Sequence, residues 1–447
     1  MQAKSFSLKI NHKIKPFTKS IKVDSDKSLS IRSFLIGSIS ENISVANNVL
    51  ESEDVFSTIN CLKKLGVKIR KKSNSYFIYG KGLGSLYAKK NLNLNFGNSG
   101  TLARLLIGIL STTPDIEIKI QGDHSLNKRS MKKLIDLMSE FGAQFLPKSK
   151  FNFPLKLIST EMPICINYKS GVSAQLKSAV MLAGLNSFGT TEIIEDQKSR
   201  DHTENMLIKN PNVIKITKDK KKTIKINGKK KLSPMSISIP GDPSSAAFFT
   251  ALALLIKNSK LKISNVGLNP TRIGFYELLK KHGAKIKFKN LRNNNSEIYG
   301  DIYVQSSKIR PIKASKDFYV KTTDEYPILS VIAALTKGTS TFKGIGDLVN
   351  KESNRIKEMQ KVLKQVGINS KSTKDELKIF GKGISISKNK IIKVPDIKDH
   401  RIFQSTAILA LVTGVKANMK NFETVFTSAP SFLKIIKSLG GKFEIQR

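Results

Sequence analysis

Residues 61–69 read CLKKLGVKI, and close variants of this phrase return along the chain: LMSEFGAQF at 137–145, LLKKHGAKI at 278–286, VLKQVGINS at 362–370 and IIKSLGGKF at 435–443. Each begins as an amphipathic helix, meets a glycine and runs on into a short strand. A glycine just past a helical pattern is expected in the left-handed conformation that ends helices. Gly66 and Gly142 lie 76 residues apart, Gly283 and Gly367 84, and Gly367 and Gly440 73. Between Gly142 and Gly283 the interval is 141, which leaves room for one blurred copy around MLIKNPNVIKI at 206–216. Six copies of about 75 residues describe one α/β supersecondary unit used six times.

A second phrase opens each copy. The openings are DKSLSIR (26–32), GNSGTLAR (97–104), GVSAQLKS (171–178), GDPSSAAFF (241–249), DEYPILSV (324–331) and DHRIFQST (399–406). Each is a polar turn leading into an Ala/Leu-rich helix, with Ser, Asp or Asn available as a cap. Three units per domain, two domains, and six first helices with their N-termini directed to one shared region follow from this pattern. Helix starts present open N–H groups and partial positive charge, so such a region suits an anionic ligand.

The basic residues sharpen that reading. In KVDSDKSLSIRSFLI (22–36), Lys27 stands at a helix start, where the dipole disfavours a cation unless an anion sits there. Only 11 of the 77 basic residues are Arg. Seven of those, Arg32, Arg104, Arg129, Arg200, Arg272, Arg355 and Arg401, lie in or beside turns that open helical patterns. Arg offers carboxylate and phosphate a rigid fork that Lys cannot copy. In a Lys-rich chain those positions are expected to need the fork.

Composition sets the remaining bounds. A length of 447 residues exceeds one simple core. The formal net charge of +43 raises the question of a nucleic-acid partner. The lysines are spread along the whole chain, there is no Trp, and no aromatic platform accompanies the basic runs, so they read as solvated faces and no nucleic acid is expected. The densest run, KDKKKTIKINGKKK (218–231), reads as an exposed hairpin turning at Asn227-Gly228. The longest apolar run, AAFFTALALLI (246–256), is too short to span a bilayer, and MQAKSFSLKIN carries no apolar signal segment. Cys61 and Cys165 have no metal or disulfide spacing and fit a reducing, cytoplasmic setting.

Ten motifs in order carry a family resemblance: DKSLSIR, GNSGTLARLL, GDHSLNKR, SAQLKSAVMLAGL, RDHTE, PGDPSSAAF, NPTRIG, DEYPIL, KESNR and DHR. From about residue 20 to 445 the chain resembles the enolpyruvyl transferases. Within them it resembles the 5-enolpyruvylshikimate-3-phosphate (EPSP) synthases, or 3-phosphoshikimate 1-carboxyvinyltransferases, of the bacterial glyphosate-tolerant type. The resemblance implies two domains of three βαβαββ units around buried helices. It places residues 1–26 with 241–447 in one domain and 27–240 in the other. The implied reaction moves the enolpyruvyl group of phosphoenolpyruvate to the 5-hydroxyl of shikimate 3-phosphate and releases phosphate. It needs neither cofactor nor metal, and the family suggests a cytoplasmic monomer in the pathway to chorismate and the aromatic amino acids.

The same resemblance assigns residues. Lys27, Ser28, Arg32, Ser173, Ala174, Gln175, Arg200, Asp324 and Lys351 meet shikimate 3-phosphate. Lys27, Asn98, Gly100, Arg129, Gln175, Arg355 and Arg401 meet phosphoenolpyruvate. Asp324 is the base for the 5-hydroxyl, Glu352 the acid toward the vinyl carbon, and Lys27 assists, so one group takes a proton while another gives one. Without the resemblance, Asp324 reads as a helix cap, Glu352 as a surface helical residue and His400 as a helix-start histidine. Gly241 to Ser245 and Arg272 read as turn and capping structure. The chain departs from the family at Asp24-Ser25 (Pro-Gly elsewhere), Ser130 (Pro), Val349 (Arg) and Asn354 (Asp). Two alternatives share the fold. One is a UDP-N-acetylglucosamine enolpyruvyl transferase, whose mobile loop carries a Cys that neither Cys61 nor Cys165 matches. The other is a basic binding protein that has lost catalysis.

Overall fold

A computed structural model of the chain describes residues 5–294, 296–384 and 390–447. Gly66, Gly142, Gly283, Gly367 and Gly440 all have φ between +78° and +103°, so the repeated phrase does end helices in the left-handed conformation. The six openings lead into helices α1 (Lys27–Ile39), α2 (Gly100–Ser111), α3 (Ala174–Gly184), α4 (Pro243–Leu255), α5 (Tyr326–Ala334) and α6 (His400–Thr413). Five carry side-chain caps. Asp26, Ser99 and Ser173 accept from the N–H groups of Leu29, Leu102 and Leu176, Asp242 from Ser244 and Asp399 from Arg401. These helices are buried nearly all round, their polar residues included; every residue of α4 and α6 is buried.

Each unit wraps its helix with a four-stranded sheet, giving six such sheets among the described residues. In the second repeat the spatial order is Asn93–Asn95, Glu117–Gln121, Leu155–Ile158, Gln144–Leu146. The first two strands are parallel and joined through α2; the others are antiparallel. This is the βαβαββ order, repeated around α3 and α5. The remaining three sheets borrow a strand from elsewhere in the chain. Ser236–Ser238 runs parallel to Ile43–Asn47, and Thr18–Ile21 runs parallel to Lys260–Gly267. Ser7–Ile10 sits between Lys416–Met419 and Glu444–Gln446, antiparallel to both.

The chain divides into unit 1, comprising Met1–Asp24, Pro240–Arg292 and Ile298–Arg447, and unit 2, comprising Ser25–Ile239 and Asn293–Glu297. Each has its own apolar core around three inner helices. In unit 2, Gly108 lets α2 press on α3: a Cβ there would stand 2.6 Å from the Ala179 carbonyl oxygen. Among the described residues no helix is long and apolar enough to cross a membrane.

The lysine-rich run differs from its sequence reading. Its hairpin joins Ile214–Lys218 to Lys222–Asn227, so the turn falls at residues 219–221 and not at Asn227-Gly228. Gly228 answers a different need. A Cβ there would fall well inside contact distance of the Ser187 carbonyl oxygen, where the strand end passes the C-terminus of α3. Close backbone approach, not turn geometry, selects this glycine.

Candidate active site

The residues singled out by sequence fall in both units. In unit 2, Lys27 opens α1, and its Nζ lies 2.8 Å from Oδ2 of the buried Asp54. A cation at a helix start thus has a carboxylate partner before any ligand arrives. One turn on, Arg32 is buried and donates through Nε to Thr203 Oγ1 (2.9 Å), through Nη2 to Ser178 Oγ (3.1 Å) and through Nη1 to the Ser28 carbonyl (3.2 Å). Ser25, where the family has Gly, is buried and leaves the Asp26 cap of α1 intact.

Asn98 bridges two groups before α2. Its Nδ2 donates to Asp123 Oδ2 (2.9 Å), and its Oδ1 accepts from Arg129 Nη2 (2.6 Å). Gly100 is the first residue of α2, and its carbonyl accepts from Arg104 Nη1. Ser173 caps α3 as an acceptor from Leu176, which leaves its hydroxyl proton as a donor. Beside it, Ala174 opens the helix, and Gln175 Nε2 donates to Thr101 Oγ1 (3.0 Å), tying α3 to α2. Arg200 follows Ser199, whose backbone N–H and hydroxyl both donate to Glu195 Oε1 (2.8 and 2.9 Å).

In unit 1 the centre is Arg355, the first residue of the helix Arg355–Gln365. Its side chain is 1% exposed and meets three carboxylates: Nη2 to Glu352 Oε2 at 2.6 Å, Nε to Asp399 Oδ2 at 3.1 Å and Nη1 to Asp324 Oδ1 at 3.4 Å. Burial works against the charged guanidinium, but Asp399, Glu352 and Asp324 together hold its pKa above the usual arginine value. Asp324 and Glu352 keep 24% and 21% of their side chains exposed, so both face solvent while anchored from behind. Asp324 is not a helix cap: Glu325 stands at the start of α5, without a side-chain cap bond. Nor is Glu352 a free surface residue.

Lys351 Nζ meets Asp347 Oδ2 at 2.6 Å, and that carboxylate also accepts from the Tyr319 hydroxyl at 2.8 Å. Burial opposes ionisation of Asp347, yet Lys351 and Tyr319 outweigh it and lower its pKa. Arg401 is buried at the start of α6 with its guanidinium 5.7 Å from the centre of the Phe248 ring. Among the described residues its Nε and Nη1 meet no hydrogen-bond partner. His400, buried, is the first residue of α6. Arg272 Nη2 donates to Asp242 Oδ1 (3.1 Å) and Ser244 Oγ (2.9 Å) at the start of α4, a capping arrangement.

All seven arginines picked out by their turns are buried or half-buried; Arg70, Arg292, Arg310 and Arg447 are exposed. Sequence reasoning missed the carboxylates behind the cations, Asp54, Asp123, Asp347 and Asp399. Their signal is weak, because an Asp near a helix start is common as a cap, and Asp123 and Asp399 do cap.

A fold of six inner-helix units in two domains, with cationic and carboxylate clusters at the helix starts, is that of the enolpyruvyl transferases. The solved enolpyruvyl transferase NikO from Streptomyces tendae shares the fold over 99% of both chains, with a TM-score of 0.77 at 13% identity. A family model described as EPSP synthase (3-phosphoshikimate 1-carboxyvinyltransferase) matches residues 11–436, and the chain belongs to that family. It is 36% identical over 430 residues to the 3-phosphoshikimate 1-carboxyvinyltransferase of a Sulfurihydrogenibium strain, covering 96% of this chain and 98% of the relative. To the Bacillus subtilis protein of the same name it is 35% identical over 428 residues, covering 94% and 97%. The solved EPSP synthase of Acinetobacter baumannii superimposes with a TM-score of 0.84 at 33% identity, over 99% of this chain and all of the other.

Proposed function

We propose that the protein is a 3-phosphoshikimate 1-carboxyvinyltransferase, acting as a cytoplasmic monomer. Membership of the EPSP synthase family along residues 11–436 is the observation that carries this reading. Both substrates bear a phosphate and a carboxylate, and the buried Arg32 with the half-buried Lys27, Arg129 and Arg200 of unit 2 supply matching charge in a setting that strengthens it. Ser28, Ser173, Ala174 and Gln175 add hydroxyl, amide and helix-start N–H donors for shikimate 3-phosphate. Asn98, Gly100, Arg129 and Gln175 serve phosphoenolpyruvate.

Unit 1 supplies the proton transfers. Asp324 takes the 5-hydroxyl proton as that oxygen attacks the carbon bearing phosphate, and Glu352 gives a proton to the vinyl carbon. The product keeps the vinyl group, so as phosphate departs one proton of the methyl so formed passes back to the Glu352 carboxylate. Lys351 orients the hydroxyl. Arg355 and Arg401 offset the carboxylate and phosphate of phosphoenolpyruvate, and Arg355 also fixes both reacting carboxylates. The test is phosphate release from purified protein given phosphoenolpyruvate with shikimate 3-phosphate or with UDP-N-acetylglucosamine. Release with the first acceptor only is expected. Release with the second alone, or with neither, overturns the reading.

Arg32→Lys, Arg129→Lys and Arg401→Lys should each weaken substrate binding by on the order of 2 kcal/mol, because Lys keeps charge but loses charge-assisted fork contacts. Arg70→Lys, on the exposed strand Lys68–Lys72, should change nothing. Titration calorimetry on the four variants checks this, and equal behaviour would remove the argument from arginine scarcity.

Glyphosate response is the finer part of the reading. The chain's motifs resemble the tolerant type, but it keeps Gly100, with no side chain beside Arg104 and Arg129. A Cβ there would stand 2.7 Å from Arg104 Nη1 and 3.2 Å from Arg129 Nη1, so a methyl displaces both flexible side-chain ends. We expect the protein to be inhibited by glyphosate competitively with phosphoenolpyruvate. Gly100→Ala should weaken inhibition by about 1–3 kcal/mol, more than it weakens phosphoenolpyruvate, since crowding penalises the longer ligand. Parallel shifts of the inhibition and Michaelis constants would show that Gly100 does not line that pocket.

A further inference from the structure

Unit 2 also holds a cluster of four charged side chains to which the reaction proposed above gives no role. Lys177 Nζ lies 2.6 Å from Glu195 Oε1 and 2.6 Å from Glu204 Oε1. Lys222 Nζ lies 3.1 Å from Glu195 Oε2 and 3.2 Å from Glu204 Oε1. Lys177 is 0% exposed and the two glutamates 1%, in a chain whose lysines otherwise favour solvent. Burial opposes the charge on Glu195, but Lys177, the Ser199 N–H and Lys222 outweigh it and bring its pKa down to about 2. Two lysines thus face two glutamates at ion-pair distance.

A buried ion cluster is a poor source of stability, because desolvation offsets most of the attraction; its better-attested use is to specify one arrangement. What it specifies here is legible from its sequence neighbours. Lys177 precedes Ser178 on α3, and Glu204 follows Thr203 on the short helix His202–Leu207. Ser178 and Thr203 are the two hydroxyls that hold the Arg32 guanidinium, and they bond each other at 2.8 Å. Glu195 grips Ser199, the residue before Arg200. We propose that the Lys177–Glu195–Glu204–Lys222 tetrad is a positioning device, clamping α3 to the 195–204 segment so that Arg32 and Arg200 are held for the phosphate of shikimate 3-phosphate. This rests on the assignment of those arginines made above.

The test compares Lys177→Met, the charge-balanced double variant Lys177→Met/Glu204→Gln, and Lys221→Met as an exposed control on the same hairpin. Michaelis constants for both substrates, calorimetric binding of shikimate 3-phosphate and of inorganic phosphate, and melting temperature are measured on each. Lys177→Met should raise the Michaelis constant for shikimate 3-phosphate about 10- to 100-fold and that for phosphoenolpyruvate less than about threefold, as expected when one ligand's charge-assisted contacts lose their geometry. The double variant should recover the lost melting temperature but not the affinity, since charge balance returns while the clamp does not. Recovery of both, parallel rises in both Michaelis constants, or no change overturns the proposal. A wild-type protein that releases no phosphate overturns the functional reading instead; phosphate affinity unchanged between wild type and double variant overturns the clamp.

Discussion

Asp324→Asn and Glu352→Gln should each lower turnover by about two to four orders of magnitude, the range for a positioned acid or base. Both substitutions keep side-chain volume and remove the titrating oxygen. Asp324 and Glu352 are each held by one nitrogen of Arg355 and remain partly open to solvent, so the geometry survives while the chemistry does not. Binding of shikimate 3-phosphate should be largely preserved, because most of its proposed partners lie elsewhere. Steady-state phosphate release together with calorimetry separates the two effects. Near-native turnover in either variant would remove that residue from the proton-transfer role.

Arg355→Met should destabilise unit 1 by about 3–5 kcal/mol, the usual result of leaving a buried charge without its partner. The guanidinium is the shared counter-charge of Asp399, fully buried, and of Asp324 and Glu352. Arg355→Lys should fall between, since a single ammonium lacks the planar fork that reaches three carboxylates at once. Urea unfolding of the three proteins measures this. A loss under about 1 kcal/mol, the scale of an exposed pair, would mean that the carboxylates do not depend on Arg355.

The fold was legible because its grammar is local. A cap, an apolar helix and a left-handed glycine each leave a signature within a few residues, and the copies reinforce one another. The blurred third copy lost that signature for a visible reason: its outer helix is only His202–Leu207, and Asn210 organises the turn by accepting from Ser233. Arginines were legible by contrast with the lysine background. Their partners were not, because Lys27 and Asp54 are 27 residues apart and Arg355 and Asp399 44. Lys177 was invisible for the same reason: nothing near it in sequence announces two carboxylates arriving 18 and 27 residues later. Gly228 misled because a glycine chosen for close approach looks the same as one chosen for a turn.

The sheet that joins Ser7–Ile10 to Lys416–Met419 and Glu444–Gln446 has a consequence for the order of events at the ribosome. Translation delivers Ser7–Ile10 long before its neighbours on both sides. Unit 2 is complete in essence once Ser236–Ser238 has emerged, with roughly half the chain still to be made, and domains fold as units as they appear. The nascent chain therefore carries a finished unit 2 between two unfinished pieces of unit 1. Its leading strand waits with open edges until the last repeat closes on it. An unpaired strand edge of this kind invites pairing with other chains, so the interval before the last repeat closes is where misassembly should concentrate.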